Sequence, residues 1–194
     1  MRKDLREKGF TLVELAIVMV IIGLLIGAVL KGQAMIQDAQ TKRAINDING
    51  ISAAYFTYLD RYNAIPGDDP NGSRWAGVAD GGGNGMIAGS ETAPGGESQE
   101  AWQALRFAGL LTGDPNDAGA SSLPRHPFGD SYGIGDLAFA GGIGTRNRIL
   151  INDIPAEVAE IIDLKLDDGG WDTGTVQANA AYTVGTLRDL SYAL

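Results

Sequence analysis

Cysteine is absent from all 194 residues, and histidine occurs once, at His126. Thiol nucleophiles, histidine-based triads and multi-histidine metal sites therefore have little to be built from. Disulfide staples, which small domains commonly use, are excluded as well. The lone imidazole lies in Pro124-Arg125-His126-Pro127 and is expected at the surface. Positive charge is scarce too: 15 Lys and Arg face 24 Asp and Glu. The densest basic spots, Lys42-Arg43 and Arg146/Arg148, read as solvated faces, so a nucleic-acid partner is not expected. Paired carboxylates do occur, at Asp68/Asp69 and Asp167/Asp168. Adjacent acids in glycine-rich loops shape turns or bind calcium more often than they cleave glycosides, and no enzyme is expected.

The chain does hold one long apolar run. A charged leader, MRKDLREKG, leads straight into Phe10–Leu30, where Glu14 is the only charged side chain. Such a helix is long enough to cross a hydrocarbon core about 30 Å thick. A carboxylate there costs on the order of 2.5–3.5 kcal/mol and calls for a partner. A secretory signal would have a shorter core followed by a small-residue cleavage site; here the small residue, Gly9, precedes the run. Cleavage between Gly9 and Phe10 would remove the leader and leave the helix in place. Residues 32–194 carry ten basic and 21 acidic side chains. With the basic leader cytoplasmic, this acidic remainder lies outside.

Lys8-Gly9-Phe10-Thr11-Leu12-Val13-Glu14 resembles the processing site of type IV pilins and type II secretion pseudopilins. The resemblance implies a prepilin peptidase that cuts after Gly9 and methylates the amine of Phe10, with Glu14 acting in assembly. Members of the family often close a C-terminal loop with a disulfide, which this chain cannot form. Many also place a proline near Lys31, whereas Lys31–Tyr62 has none. YNAIPGDDP at 62–70, AWQALRFAGLL at 101–111 and IDLKLDDGGWDTGTV at 162–176 resemble one pilin subgroup, extending the likeness over most of the chain.

The helix is expected to run past the membrane. Ile36 is followed by Ile45, Ile48, Ile51, Tyr55, Tyr58, Leu59 and Tyr62, whose gaps of three and four mark a buried stripe. A helix from Phe10 to Tyr62 would be about 80 Å long. Gly23 and Gly27 form a G-x-x-x-G that would let helices approach closely. Beyond Pro66, Gly67–Gly96 and Asp114–Gly129 read as loops. Glu97–Leu111 reads as a helix facing inward through Trp102, Leu105, Ala108 and Leu111. Ser131–Ala140 and Asn147–Ile151 form an expected hairpin around Gly141-Gly142. Pro155–Leu166 reads as a helix buried through Val158, Ile161, Ile162 and Leu166, and Thr175–Val184 as the last strand. The fold class is α+β: a leader (1–9), an assembly half-helix (10–30), an amphipathic half-helix (31–62) and a head (63–194) with a short antiparallel sheet.

Two loops have calcium-ligand character. Asp80, Asn84 and Glu91 occupy fixed slots of an EF-hand-like loop, but Gly82 stands where an Asp or Asn belongs. Asp163, Asp167, Asp168 and Asp172 crowd a second loop; some pseudopilins are similar in binding calcium there. No cofactor is required, with calcium the one candidate. The resemblance implies a filament subunit, held in the inner membrane as a precursor and extracellular after assembly. Its partners would be copies of itself, prepilin peptidase and the assembly machinery. A pilus subunit is favoured over a secretion pseudopilin by the long, varied head, and a minor pilin that binds a surface or DNA would need a basic or aromatic patch that the sequence does not display.

Overall fold

The three-and-four spacing of apolar residues becomes one helix, α1 (Leu12–Tyr62), in a computed structural model that describes residues 10–89, 96–137 and 146–194. The chain divides into two compact units, Met1–Ala39 and Gln40–Leu194. Within the second, α1 buries Ala44, Ile48, Ile51, Ala54, Tyr55 and Tyr58. Ile45 and Tyr62 pack half-buried, whereas Leu59 and Ile36 stay exposed, off the buried stripe. The helix stops where Asn63 takes a left-handed φ of 50° and Ile65 precedes Pro66, which disfavours the helical conformation before it.

Gly67 fixes the turn that follows. Its φ is +88°, and a Cβ there would run into the backbone carbonyl of Glu97. Asp69 then ties the turn to α1: one carboxylate oxygen accepts the Tyr58 hydroxyl at 2.8 Å, the other the Arg74 guanidinium at 3.0 Å. The next helix, α2 (Gly96–Phe107), buries Trp102 and Leu105 as the spacing predicts. It ends before Ala108 and Leu111 because Gly109 turns left-handed, with φ 68°.

The head carries a four-stranded antiparallel sheet, β1 (Tyr132–Leu137), β2 (Arg146–Pro155), β3 (Val176–Ala178) and β4 (Leu187–Ala193), in the order β1-β2-β4-β3. β1 and β2 pair as expected; the Gly141-Gly142 connection lies outside the described residues. Register sets two rows across the sheet, Tyr132–Ile151–Leu190–Ala178 and Ile134–Ile149–Tyr192–Val176. These rows share one hydrophobic core with α1, α2 and the third helix, α3 (Ala156–Leu166). In α3, Val158, Ala159 and Ile162 are buried, but Ile161 is 40% exposed, contrary to its expected inward position. Thr175–Val184 is not the last strand: pairing there stops at Ala178, and the terminal β4 enters between β2 and β3.

Ile48 and Leu59 therefore separate core from surface on one helix. Ile48→Ala should cost about 2–5 kcal/mol in denaturant unfolding of the detergent-solubilised protein. Leu59→Ala should cost well under half as much, and equal losses would contradict the placement of the core.

Candidate functional site

Thr11 and Glu14 build the start of α1. The Thr11 amide donates to the Glu14 carboxylate at 2.9 Å, and the Glu14 amide donates to the Thr11 hydroxyl at 3.2 Å. This reciprocal pair is a capping box, satisfying donors that a helix start leaves unpaired. The Thr11 hydroxyl donates to the same Glu14 oxygen, Oε2, at 2.8 Å. Phe10 is 87% exposed, and the large apolar side chains from Leu12 to Leu30 are exposed in turn. α1 is the one helix among the described residues long and apolar enough to cross a membrane. A Cβ at Gly23 or Gly27 would meet nothing within 4 Å, so neither glycine serves packing within the chain. Gly9 lies outside the described residues.

The EF-hand-like loop is organised around other carboxylates. Asp68 is buried and accepts the amides of Asn84 and Gly85, at 3.2 and 2.6 Å. Glu97 accepts those of Gly82 and Ala88, at 2.9 and 2.6 Å. Asp80 instead accepts the Ser73 amide, which holds its carboxyl below the usual range. Asn84 accepts the amide of Met86 at 2.8 Å. Asp80 and Asn84 thus serve separate turns, and Glu91 lies outside the described residues.

The C-terminal loop does gather its acids. Asp163, Asp167 and Asp168 each place a carboxylate oxygen within 4.8 Å of the others, a span that ligands of one calcium ion can bridge. Asp172 is not part of the group. Asp167 accepts the amides of Thr175 and Val176, and a Cβ at Gly174 would overlap its carboxylate. Asp168 accepts from the Gly170 amide and the Thr173 hydroxyl, which hold its carboxyl low. Asp163 is buried beneath them and accepts from the Tyr182 hydroxyl at 2.7 Å and the Gly169 amide at 3.2 Å. Burial raises its carboxyl, and the charges of Asp168 and Asp167 add to the shift against those two hydrogen bonds. Both amides at Asp167 fall on Oδ2, which leaves Oδ1 to face a cation, and each Asp163 oxygen accepts one bond and keeps a second lone pair.

Two basic or titratable residues are not where the sequence suggests. His126 is buried: its Nδ1 accepts the Phe128 amide at 3.2 Å, and desolvation lowers its pKa. Arg148 is fully buried in β2 and donates to the Ser191 hydroxyl at 3.0 Å. The structure also assembles an aromatic cluster from distant residues. Trp75 stacks on Phe107 at 5.8 Å, and Tyr62 meets Trp75 edge-on with Arg74 over its ring. The separate segments gave no sign of it.

Residues 4–30 match the family model for the prokaryotic N-terminal methylation motif, the type IV pilin and pseudopilin signal. No curated protein and no solved structure matches the chain. The motif supports a type IV pilin-like or pseudopilin protein, and the family that carries this motif is structural rather than enzymatic. It implies prepilin peptidase processing and assembly with pilus or secretion machinery, consistent with a membrane-anchored precursor.

The raised carboxyl of Asp163 makes a pH-dependent prediction. An acid whose folded pKa is raised stabilises the fold while neutral and loses that contribution as pH rises through the folded value. Asp163→Asn, which cannot ionise, should therefore gain stability relative to wild type as pH rises from about 4 to neutral in chelator. Denaturant unfolding would show it, and parallel pH curves would contradict it.

Proposed function

We propose that the chain is a structural subunit of a type IV pilus-like extracellular filament, cut after Gly9, methylated at Phe10 and assembled through α1. The observation that supports this most is the methylation motif joined to a helix whose Phe10–Leu30 surface has no cover of its own. Lipid covers that surface in the precursor; in the filament, other copies of α1 do so, and the same hydrophobic driving force acts in both settings. Gly23 and Gly27, open at the Cβ position, give such helices close approach. Glu14 supplies the specific contact. In an apolar bundle its carboxylate pairs with the new amine of a neighbouring Phe10, offsetting the desolvation that each charge would otherwise bear.

A secretion pseudopilus is the second reading, and the carboxylate group of the C-terminal loop favours it. We propose that Asp163, Asp167 and Asp168 hold calcium there, taking the place of a disulfide in a head without cysteine. The ion would relieve the like-charge crowding around Asp163 and stabilise the fold by mass action, about 2.7 kcal/mol at a hundredfold excess over Kd.

Intact mass of assembled protein should begin at Phe10, heavier by one methyl group, and Gly9→Val should leave the precursor uncut in the membrane. Glu14→Gln should insert and be cut, yet assemble poorly; normal filaments from it would rule out the proposed pairing. For the loop, wild-type protein should melt higher in calcium than in chelator, and Asp168→Ala should remove most of the difference. Identical wild-type melting in both would discard calcium.

A further inference from the structure

The segment Pro124–Ser131 is a closed loop built around the one imidazole of the chain. Its stem is pinned by the Arg125–Ser131 bridge and by the Tyr132 amide, which donates to the Pro124 carbonyl at 2.7 Å. Within the stem, the His126 amide donates to the Asp130 carbonyl at 2.9 Å and the Gly129 amide to the His126 carbonyl at 3.2 Å. Pro127 has no amide to give. The turn therefore leans on the Phe128 amide, and the acceptor of that amide is the His126 ring. The same loop grips α1, because the Gln40 side chain donates to the Pro127 carbonyl at 3.0 Å.

The imidazole is 3% exposed and lies against the rings of Phe128 and Tyr132, with centroids 6.0 and 5.6 Å away. Because Nδ1 accepts a hydrogen bond, the ring is neutral and its proton is on Nε2. Nε2 is buried and has no hydrogen-bond partner. An imidazolium carries a proton on both nitrogens and cannot accept the Phe128 amide at all. Protonation would thus remove the bond that closes the turn, set two N–H groups against each other and leave a cation in a dry site. The charged groups nearby are mostly acidic. Asp130 of the loop and Asp153 of β2 favour the cation, yet burial outweighs them. Asp189 of β4 and Arg125 line a cleft with those two acids, and Asp47 of α1 is engaged by the Tyr132 hydroxyl at 3.1 Å.

We propose that His126 is an acid-released latch: protonation of its ring opens the Pro124–Ser131 loop and frees Gln40 of α1 from the Pro127 carbonyl. The open loop takes a proton that the closed loop refuses. The latch is therefore shut above the ordinary histidine value of about 6.5 and loosens as pH falls below it. In that window the open population rises by up to about tenfold for each pH unit. The latch acts within one head and does not depend on the filament reading.

A single histidine makes the test direct in full-length protein in detergent, since labelling histidine with nitrogen-15 gives one pair of ring signals. At neutral pH these should show a neutral ring with its proton on Nε2. Exchange protection of the Phe128 and Gly129 amides, corrected for intrinsic rates, should fall severalfold between neutral pH and about pH 5, while the β2–β4 ladder keeps its protection. His126→Asn sets an amide oxygen near the place of Nδ1 and does not titrate, so its loop should be equally protected at both pH values. A wild-type loop equally protected at both would overturn the latch, as would the same loss in His126→Asn. If the variant fails to close the loop even at neutral pH, the wild-type ring decides. Protection lost in step with ring titration supports the latch, and a ring that titrates with protection intact overturns it.

Discussion

Every other part of the molecule answers to the demand that one helix satisfy two surroundings. Along Phe10–Leu30, α1 is apolar on all sides, which suits lipid or a bundle of like helices. From Ala44 onward only one stripe is apolar, and that stripe is the wall against which the head folds. No proline or cap interrupts the passage between the two regimes. The two cross-strand rows of the sheet, the inner faces of α2 and α3, and Tyr55 and Tyr58 of α1 meet in a single core. The sheet is small, and β3 spans three residues. A sheet this small gains from packing on helices, and α1, α2 and α3 share its core.

The parts legible in the sequence are those governed by period. α1, α2, α3 and the pairing of β1 with β2 follow from spacing that burial alone enforces. β4 was not legible, because Leu187-Arg188-Asp189-Leu190 lacks strand alternation. Asp189 is spent on the bulge, bonding to the Asp153 amide and the Asn179 side chain. The N-terminal signal was legible because its parts are contiguous, and the Thr11–Glu14 cap is local for the same reason. His126 and Arg148 misled because their types are usually exposed, whereas here they are buried, each with a polar partner, the Phe128 amide and the Ser191 hydroxyl. The roles of Asp68 and Glu97 could not be read, since their partners lie nine to 17 residues away and are backbone amides. Only folding brings such donors to a carboxylate.

Two irregular stretches of the head are held by a recurring device, a carboxylate accepting backbone amides from a glycine-rich stretch. Asp68 and Glu97 organise the loop after α1; Asp167 and Asp168 organise the one after α3. A hydrogen bond to a charged group contributes about 1.5–3 kcal/mol. The two such bonds at buried Asp68 therefore rival the 2–4 kcal/mol typical of a disulfide. Glycine makes this workable, because it brings the amide close to the carboxylate where a side chain would collide, as Gly174 does beside Asp167.

Those ties also set how the head responds to its chemical surroundings. Each is reversible and forms as the loop closes, without an oxidant, an isomerase or a choice among covalent pairings. A reductant that would open a stapled domain leaves Asp68, Glu97 and Asp167 with their donors. A chain unfolded in thiol-containing solution has no wrong bond to break before it refolds. Reducing and oxidising conditions therefore leave the ties of these loops alike, because no cysteine takes part in them.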